Sequence, residues 1–142
     1  MLLFGHREAV ANYVLSRIRD QEPFLTGYEA IGALDSQGEL IGGFVYSEHR
    51  LCPGGGSVGI CAAGERDWLS RANLSVFLGS YPFGQLGCHR INAMIAKSNK
   101  RARGVIERLG FKNEGTIRGA FAPNKDGIFY GLLQSESRWI RK

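Results

Sequence analysis

The spacing of apolar positions changes several times along the chain, and each change marks an element. Between Arg7 and Arg19 the residues Ala9, Val10, Tyr13, Val14 and Ile18 fall on one helical face, which predicts an amphipathic helix after a short first strand over Met1–Gly5. Gln21–Gly27, with Pro23, reads as a connection holding a short helical turn. Tyr28–Leu34 and Glu39–Tyr46 have strand character and flank Asp35-Ser36-Gln37-Gly38, whose turn-forming residues predict a hairpin. Cys52-Pro-Gly-Gly-Gly is a second turn, and Ser57–Ala63 is a third strand. Gly56 and Gly59 weaken that strand unless a bulge or a close backbone approach requires them.

Ala72–Leu86 starts as a helix but contains Gly79, Pro82 and Gly84, so a helix over 71–80 and then a broken or restarted turn are expected. Cys88–Ala96 alternates as a strand does. A capped helix over about 99–109 follows, because Ser98 or Asn99 can accept from free first-turn amides and Gly110 can end the helix left-handed. Ala102, Val105, Ile106 and Leu109 form its buried stripe under a face carrying Lys100, Arg101, Arg103, Glu107 and Arg108. Phe111–Arg118 and Gly127–Gln134 supply the last strands, with a final segment to Trp139. Ser57–Ala63 and Cys88–Ala96 are joined through a helix, and a right-handed crossover makes them parallel.

The chain has 142 residues, no second composition and no linker, which reads as one domain over 1–142. At 44% hydrophobic and 22% charged residues it has the composition of a folded globular protein. No apolar run approaches the roughly 20 residues of a membrane span, and MLLFG before HRE is too short for a signal peptide, so a cytoplasmic location is expected. Cys52, Cys61 and Cys88 are odd in number and lack metal-ligand spacing, which points to reduced thiols and no metal site. A net charge of +5 implies an anionic partner: a phosphorylated cofactor, a nucleic acid or an acidic protein.

The order of elements, together with SN…RLGF and GFKNEGTIR, resembles the GNAT superfamily of N-acetyltransferases. In that family an Asn opens a helix that ends in Leu-Gly-Phe, and Asn99 and Phe111 stand at the family interval. Leu86-Gly87-Cys88-His89-Arg90-Ile91 is similar to the start of the family's fifth strand, above all in the branch that acetylates ribosomal-protein N-termini and polyamines. Glu114-Gly115-Thr116-Ile117-Arg118 is similar to that branch's EG-x-x-R strand, and Asp126 through Leu133 to its closing strand. With Trp68, Arg71 and Ser137-Arg138-Trp139, the whole looks most like small GNAT proteins of phages and prophages. The resemblance implies an α/β (α+β) GNAT fold. Its mixed central sheet has about six or seven strands, helices on both faces, and splayed fourth and fifth strands.

The resemblance further implies acetyl-CoA as cosubstrate and a primary amine as acceptor: a protein N-terminus, a lysine or a small polyamine-like molecule. The family's pyrophosphate loop projects onto Asp67-Trp68-Leu69-Ser70-Arg71-Ala72, where Ser70 replaces a glycine and only Ala72 is a family residue. Backbone amides at a helix start carry phosphate binding, so Ser70, Arg71 and Ala72 can still serve, and Asp67 can cap the helix. Trp68 either stacks on adenine or substrate, or fills the space of the missing glycines. Ile60 through Ala63, small at Ala62, match the strand that pairs with the pantetheine arm, and they are equally buried strand residues. Asn99 is carried over as a hydrogen-bonding partner of that arm and Ala102 as a small contact near it. Lys97, Lys100, Arg101 or Arg103 would face the phosphates or simply be solvated.

Acyl transfer to an amine needs a proton acceptor, an oxyanion donor and a leaving thiolate. The family's usual carboxylate on the fourth strand is absent from GGGSVGICAA, and Ile106 stands where a helix tyrosine commonly serves as acid. Tyr46, Glu48 and Tyr130 are the candidates for proton handling, with Ser57 and His49 as further polar groups. A backbone amide near Ala62 can serve the oxyanion, and transfer is then direct, driven by positioning. Two other functions fit the residues. One is a relative of the phage Mom proteins, which modify adenine in DNA on a GNAT-like scaffold. The other is a non-catalytic binding domain. GNAT domains often form homodimers.

Overall fold

Asp35 closes the first hairpin as its turn chemistry predicts. Its Oδ1 accepts from the backbone N–H of Gln37 (2.9 Å) and Glu39 (3.0 Å), and Gly38 follows at φ +80°, a backbone region that side chains resist. The structure, a computed structural model, describes residues 1–18 and 27–140. The connection expected over 21–27 therefore lies, Gly27 apart, outside the described residues.

In chain order the elements are β1 (Leu2–Leu3), α1 (Arg7–Leu15), β2 (Glu29–Leu34), β3 (Leu40–Cys52), β4 (Gly55–Gly64), α2 (Arg71–Ser75), a π-helical segment (Val76–Gln85), β5 (Arg90–Ala96), α3 (Lys100–Arg108), β6 (Lys112–Ala122), β7 (Lys125–Leu133) and a 3-10 turn (Gln134–Glu136). The strands form one seven-stranded mixed sheet in the order β1-β2-β3-β4-β5-β7-β6. Every neighbouring pair is antiparallel except β4 and β5.

Strand alternation sorts the apolar residues onto two faces. Ile31, Phe44, Tyr46, Val58, Ile91, Tyr130 and Leu132 face the larger core under α2, the π-helical segment and α3, where they meet Phe77, Leu78 and Ile106. Tyr28, Ala30 and Val45 face the other side with Val10, Ala11 and Val14 of α1. Helices thus cover both faces. No helix among the described residues is long and apolar enough to cross a membrane.

Three boundaries differ from the sequence reading. β3 runs past Tyr46 to Cys52 and β6 runs to Ala122, because pairing with β4 and β7 continues through local irregularities. The helix expected to stop near residue 80 instead continues through Pro82 by widening. Leu86 N–H donates to Tyr81 O (2.9 Å), five residues back. In that register the donor facing Phe77 O would be the nitrogen of Pro82, which has no hydrogen. Tyr46 from β3 replaces it, its hydroxyl donating to Phe77 O at 2.7 Å in the buried core. Tyr46→Phe would leave that carbonyl unpaired, and we expect a loss of about 1–3 kcal/mol of stability in urea unfolding.

The C-terminal segment lies between the π-helical segment and α3. Ser137 Oγ donates to Leu78 O (2.9 Å) and Trp139 Nε1 to Leu109 O (2.9 Å). Gly79 permits the approach, since a Cβ there would stand 2.7 Å from Trp139 O.

Candidate active site at the parting of two parallel strands

β4 and β5 pair in parallel over only Ser57–Arg90, Val58–Ile91 and Gly59–Asn92. Beyond Gly59 each strand keeps only its outer neighbour, β4 with β3 and β5 with β7. From Ile60 to Ala63 the backbone groups of β4 that face β5 therefore have no ladder partner. A strand edge thus opens inside the sheet, of the kind that an extended chain can pair with. Side chains along it are modest in size: Ile60 and Ala62 pack toward the larger core, Cys61 and Ala63 toward α1. Burial pushes the Cys61 thiol up to about 12, so at neutral pH it is protonated and offers no thiolate for an acyl relay.

The chain from the open end of β4 leads to the start of α2. Ser70 is the N-cap, its Oγ accepting from Asn73 N–H at 3.1 Å. Asp67, read from sequence as a possible cap, instead adopts φ +64° in the turn before it. Trp68 is 8% exposed, with its indole in the larger core against Phe44 and Phe77. It lies over Gly42 and Gly64, where a Cβ would stand 2.7 Å from Cζ3 and 2.5 Å from Nε1 respectively. Of the two readings of Trp68, packing is the one that its burial and ring contacts fit. Arg71 and Ala72 are exposed. With Ser75, Arg138, Trp139 and Ile140 they line a pocket of about 380 Å³.

Across the opening stands the start of α3. Asn99 caps it, Oδ1 accepting from Ala102 N–H at 3.2 Å, which leaves the Nδ2 hydrogens pointing away from the helix. Arg103 is committed elsewhere: Nη1 donates to Lys97 O (3.0 Å) and Nε to the Tyr130 hydroxyl (3.2 Å). That hydroxyl donates in turn to Glu107 Oε2 at 2.6 Å. Burial, reinforced by the Glu107 carboxylate, raises the Tyr130 pKa. Arg103, Tyr130 and Glu107 thus tie α3 to β7, with Tyr130 beside Ala93, the first β5 residue past the parting. Tyr46 is likewise buried, and desolvation holds its pKa well above the usual phenol.

Glu48 is placed differently. Between Ser47–Gly59 and Arg50–Ser57 the β3 strand carries one residue more than β4, a bulge formed by Glu48 and His49. His49 donates from Nε2 to Leu86 O at 3.2 Å. Glu48 takes φ +53°, an outlier for a residue with a side chain. Its Oε2 lies 3.6 Å from where a Cβ of Gly59 would stand. Gly59 is the last β4 residue paired with β5, so the carboxylate hangs over the apex of the parting, on the α1 side of the sheet.

On that same side β5 presents Arg90 and Asn92, which alternate with the buried Ile91 and Ala93. Arg90 grips Glu114 of β6 with both terminal nitrogens, Nη1 to Oε2 at 3.1 Å and Nη2 to Oε1, and its Nε donates to Asn92 Oδ1. The pair lies flat across β7 because Gly131 has no side chain; a Cβ there would stand 2.7 Å from Glu114 Oε2. Sequence reasoning used Arg90 and Glu114 only as family signatures and passed over Asn92. The polar alternation Arg90, Asn92 was the visible signal.

No protein-family model matches the chain, and no curated protein matches it in sequence. Solved structures do. Spermidine N-acetyltransferase from Vibrio cholerae in complex with CoA and spermine is 19% identical, with a TM-score of 0.73 over 96% of this chain and 96% of that one. A chimera of the Vibrio cholerae spermidine N-acetyltransferase SpeG and hSSAT is 20% identical, with a TM-score of 0.72 over 95% of this chain and 97% of that one. The fold is the GNAT fold. The mixed sheet, the helices on both faces and the splayed β4 and β5 agree with the fold expected from sequence.

Proposed function

We propose that the protein moves an acetyl group from acetyl-CoA directly to a primary amine. The observation that carries this reading is the parting of β4 and β5 after three residue pairs. It ends the β4–β5 ladder and leaves an extended β4 edge that suits an amide-bearing chain and begins beneath a carboxylate. When bound there, acetyl-CoA would supply an activated acyl thioester.

The chain's own residues then divide the work. Ile60 through Ala63 would take the pantetheine amides by backbone pairing, and the Ala62 side chain keeps the approach close. Ser70, Arg71 and Ala72 at the start of α2 would face the pyrophosphate, where amides and a guanidinium favour negative charge. The Nδ2 hydrogens of Asn99 would meet the arm from the other wall, with Ala102 beside them. Glu48 would accept the proton of the incoming ammonium, and a β4 amide near Ala62 would hold the developing oxyanion. Arg103, Tyr130, Tyr46 and Trp68 support this frame from behind and are left out of the proton path. The relation to spermidine N-acetyltransferases supports acetyl transfer to an amine as the class of reaction.

Isothermal titration with acetyl-CoA, followed by mass analysis of candidate amines, tests the reading. Micromolar binding and a gain of one acetyl group are expected. No heat at millimolar acetyl-CoA would favour the non-catalytic alternative, while DNA binding that falls steeply with salt would favour the DNA-modifying one. The Asn99→Ala, Arg71→Ala double variant should weaken acetyl-CoA binding by about 10–100-fold, the loss of one neutral and one charge-assisted hydrogen bond.

A further inference from the structure

Arg90 has donors and no acceptor, so the Asn92 atom that meets its Nε is the side-chain oxygen. That fixes the rotation of the amide. The Asn92 Nδ2 hydrogens point away from Arg90 and have no hydrogen-bond partner among the described residues. Asn92 is half-buried and pairs with Gly59 across the last rung of the β4–β5 ladder. Val58 and Ile91 one rung back both enter the larger core, so Gly59 and Asn92 share the opposite face. This is the face on which the Glu48 carboxylate lies against Gly59. The apex therefore carries a free amide donor on β5 and an exposed carboxylate on β3, with the side-chain-free Gly59 of β4 between them.

We propose that Asn92 binds the acceptor substrate, and that the acceptor is an amine with a carbonyl on the adjacent carbon, as in an α-amino acyl amide or a peptide N-terminus. This rests on the acetyl-transfer reading above. The ammonium meets Glu48, and the neighbouring carbonyl accepts from Asn92 Nδ2. A polyamine offers only donors and cations, and would leave that Asn92 donor without a partner at the apex. It also needs several carboxylates, whereas Glu114 is neutralised by the two-pronged grip of Arg90. Arg90 and Glu114 are positioning residues, acting through the amide they orient.

The test combines a signal from the residue itself with a substrate ratio. In ¹⁵N-resolved NMR of the full chain, the Asn92 side-chain NH₂ pair, assigned by its disappearance in Asn92→Asp, should shift on titration with alaninamide and stay still with 1,4-diaminobutane. In transfer assays alaninamide should exceed the diamine in kcat/KM by at least about tenfold, the worth of one hydrogen bond with its desolvated donor. Asn92→Leu should remove that preference mainly through KM, and Arg90→Lys should do the same because an ammonium cannot make the fork. An unmoved NH₂ pair under alaninamide, or a diamine preferred by the unaltered protein, overturns the proposal. The acetyl-CoA titration is scored separately. If acetyl-CoA binds while the Asn92 signal ignores alaninamide, the acceptor assignment falls and the acetyl-transfer reading stands. If acetyl-CoA does not bind, the broader reading falls, and the NMR titration still decides the amine site.

Discussion

Glu48→Gln is expected to lower kcat/KM for acetyl transfer by about two to four orders of magnitude, the usual worth of a positioned general base. Glutamine keeps the size and the hydrogen-bonding oxygen of the side chain but cannot accept the proton that an ammonium must lose before it attacks. The prediction is large because Glu114, on the same face, is held by Arg90 and offers no substitute base. The backbone supplies a control. Glu48 sits at φ +53°, a conformation that costs of order 1 kcal/mol for a residue with a Cβ. Glycine at this position would relieve that cost while gaining unfolded-state entropy of similar size. Glu48→Gly should thus unfold within about 1 kcal/mol of the unaltered protein and be as inactive as Glu48→Gln. Stopped-flow release of CoA beside urea unfolding measures both quantities. Retention of more than a tenth of the activity in Glu48→Gln would remove the base from this bulge.

The bulge also shows which features the sequence could convey. Elements governed by their own period were legible: the buried alternation of Ile91 and Ala93, the Asp35 turn, and the Asn99 cap all follow from residues within a few positions of each other. The parallel crossover between β4 and β5 followed from handedness, and the splay from family resemblance. Features that depend on a distant partner were not legible. Pro82 reads as a helix stop because its missing N–H is a local fact, while the Tyr46 hydroxyl that compensates lies 31 residues before Phe77, whose carbonyl it caps. The surplus residue in β3 has no local signature, since Ser47-Glu48-His49 reads as an ordinary polar strand end until its register against β4 is known. Asn92 reads as one polar residue in an alternating strand; its amide is oriented only once topology brings β6 beside β7 and Gly131 beneath the Arg90–Glu114 pair.

Trp68→Ala should cost about 3–5 kcal/mol of stability, the range for emptying a large buried aromatic site, and it should be the most destabilising single change among those considered. The reason lies in a pairing of glycines. Gly42 of β3 and Gly64 of β4 are partners in the antiparallel register, and both lack the side chain that would fill the space above them. The indole occupies that space, contacting Phe44 at a ring separation of 5.6 Å and Phe77 at 5.7 Å. Loss of the ring opens a cavity at the point where β4 turns toward α2, so the start of α2 loses its support at the same time. The energetic and functional effects then separate. Chemical denaturation should show the full stability loss with the m-value unchanged, whereas acetyl-CoA affinity, measured well below the unfolding midpoint, should fall by about tenfold through disorder at Ser70 and Arg71 rather than through a lost stacking contact. Trp68→Phe distinguishes the two causes: it restores much of the packing and should recover most of both losses. A Trp68→Phe protein that regains stability but not affinity would mean that the indole touches the ligand, contrary to its burial between Gly42 and Gly64.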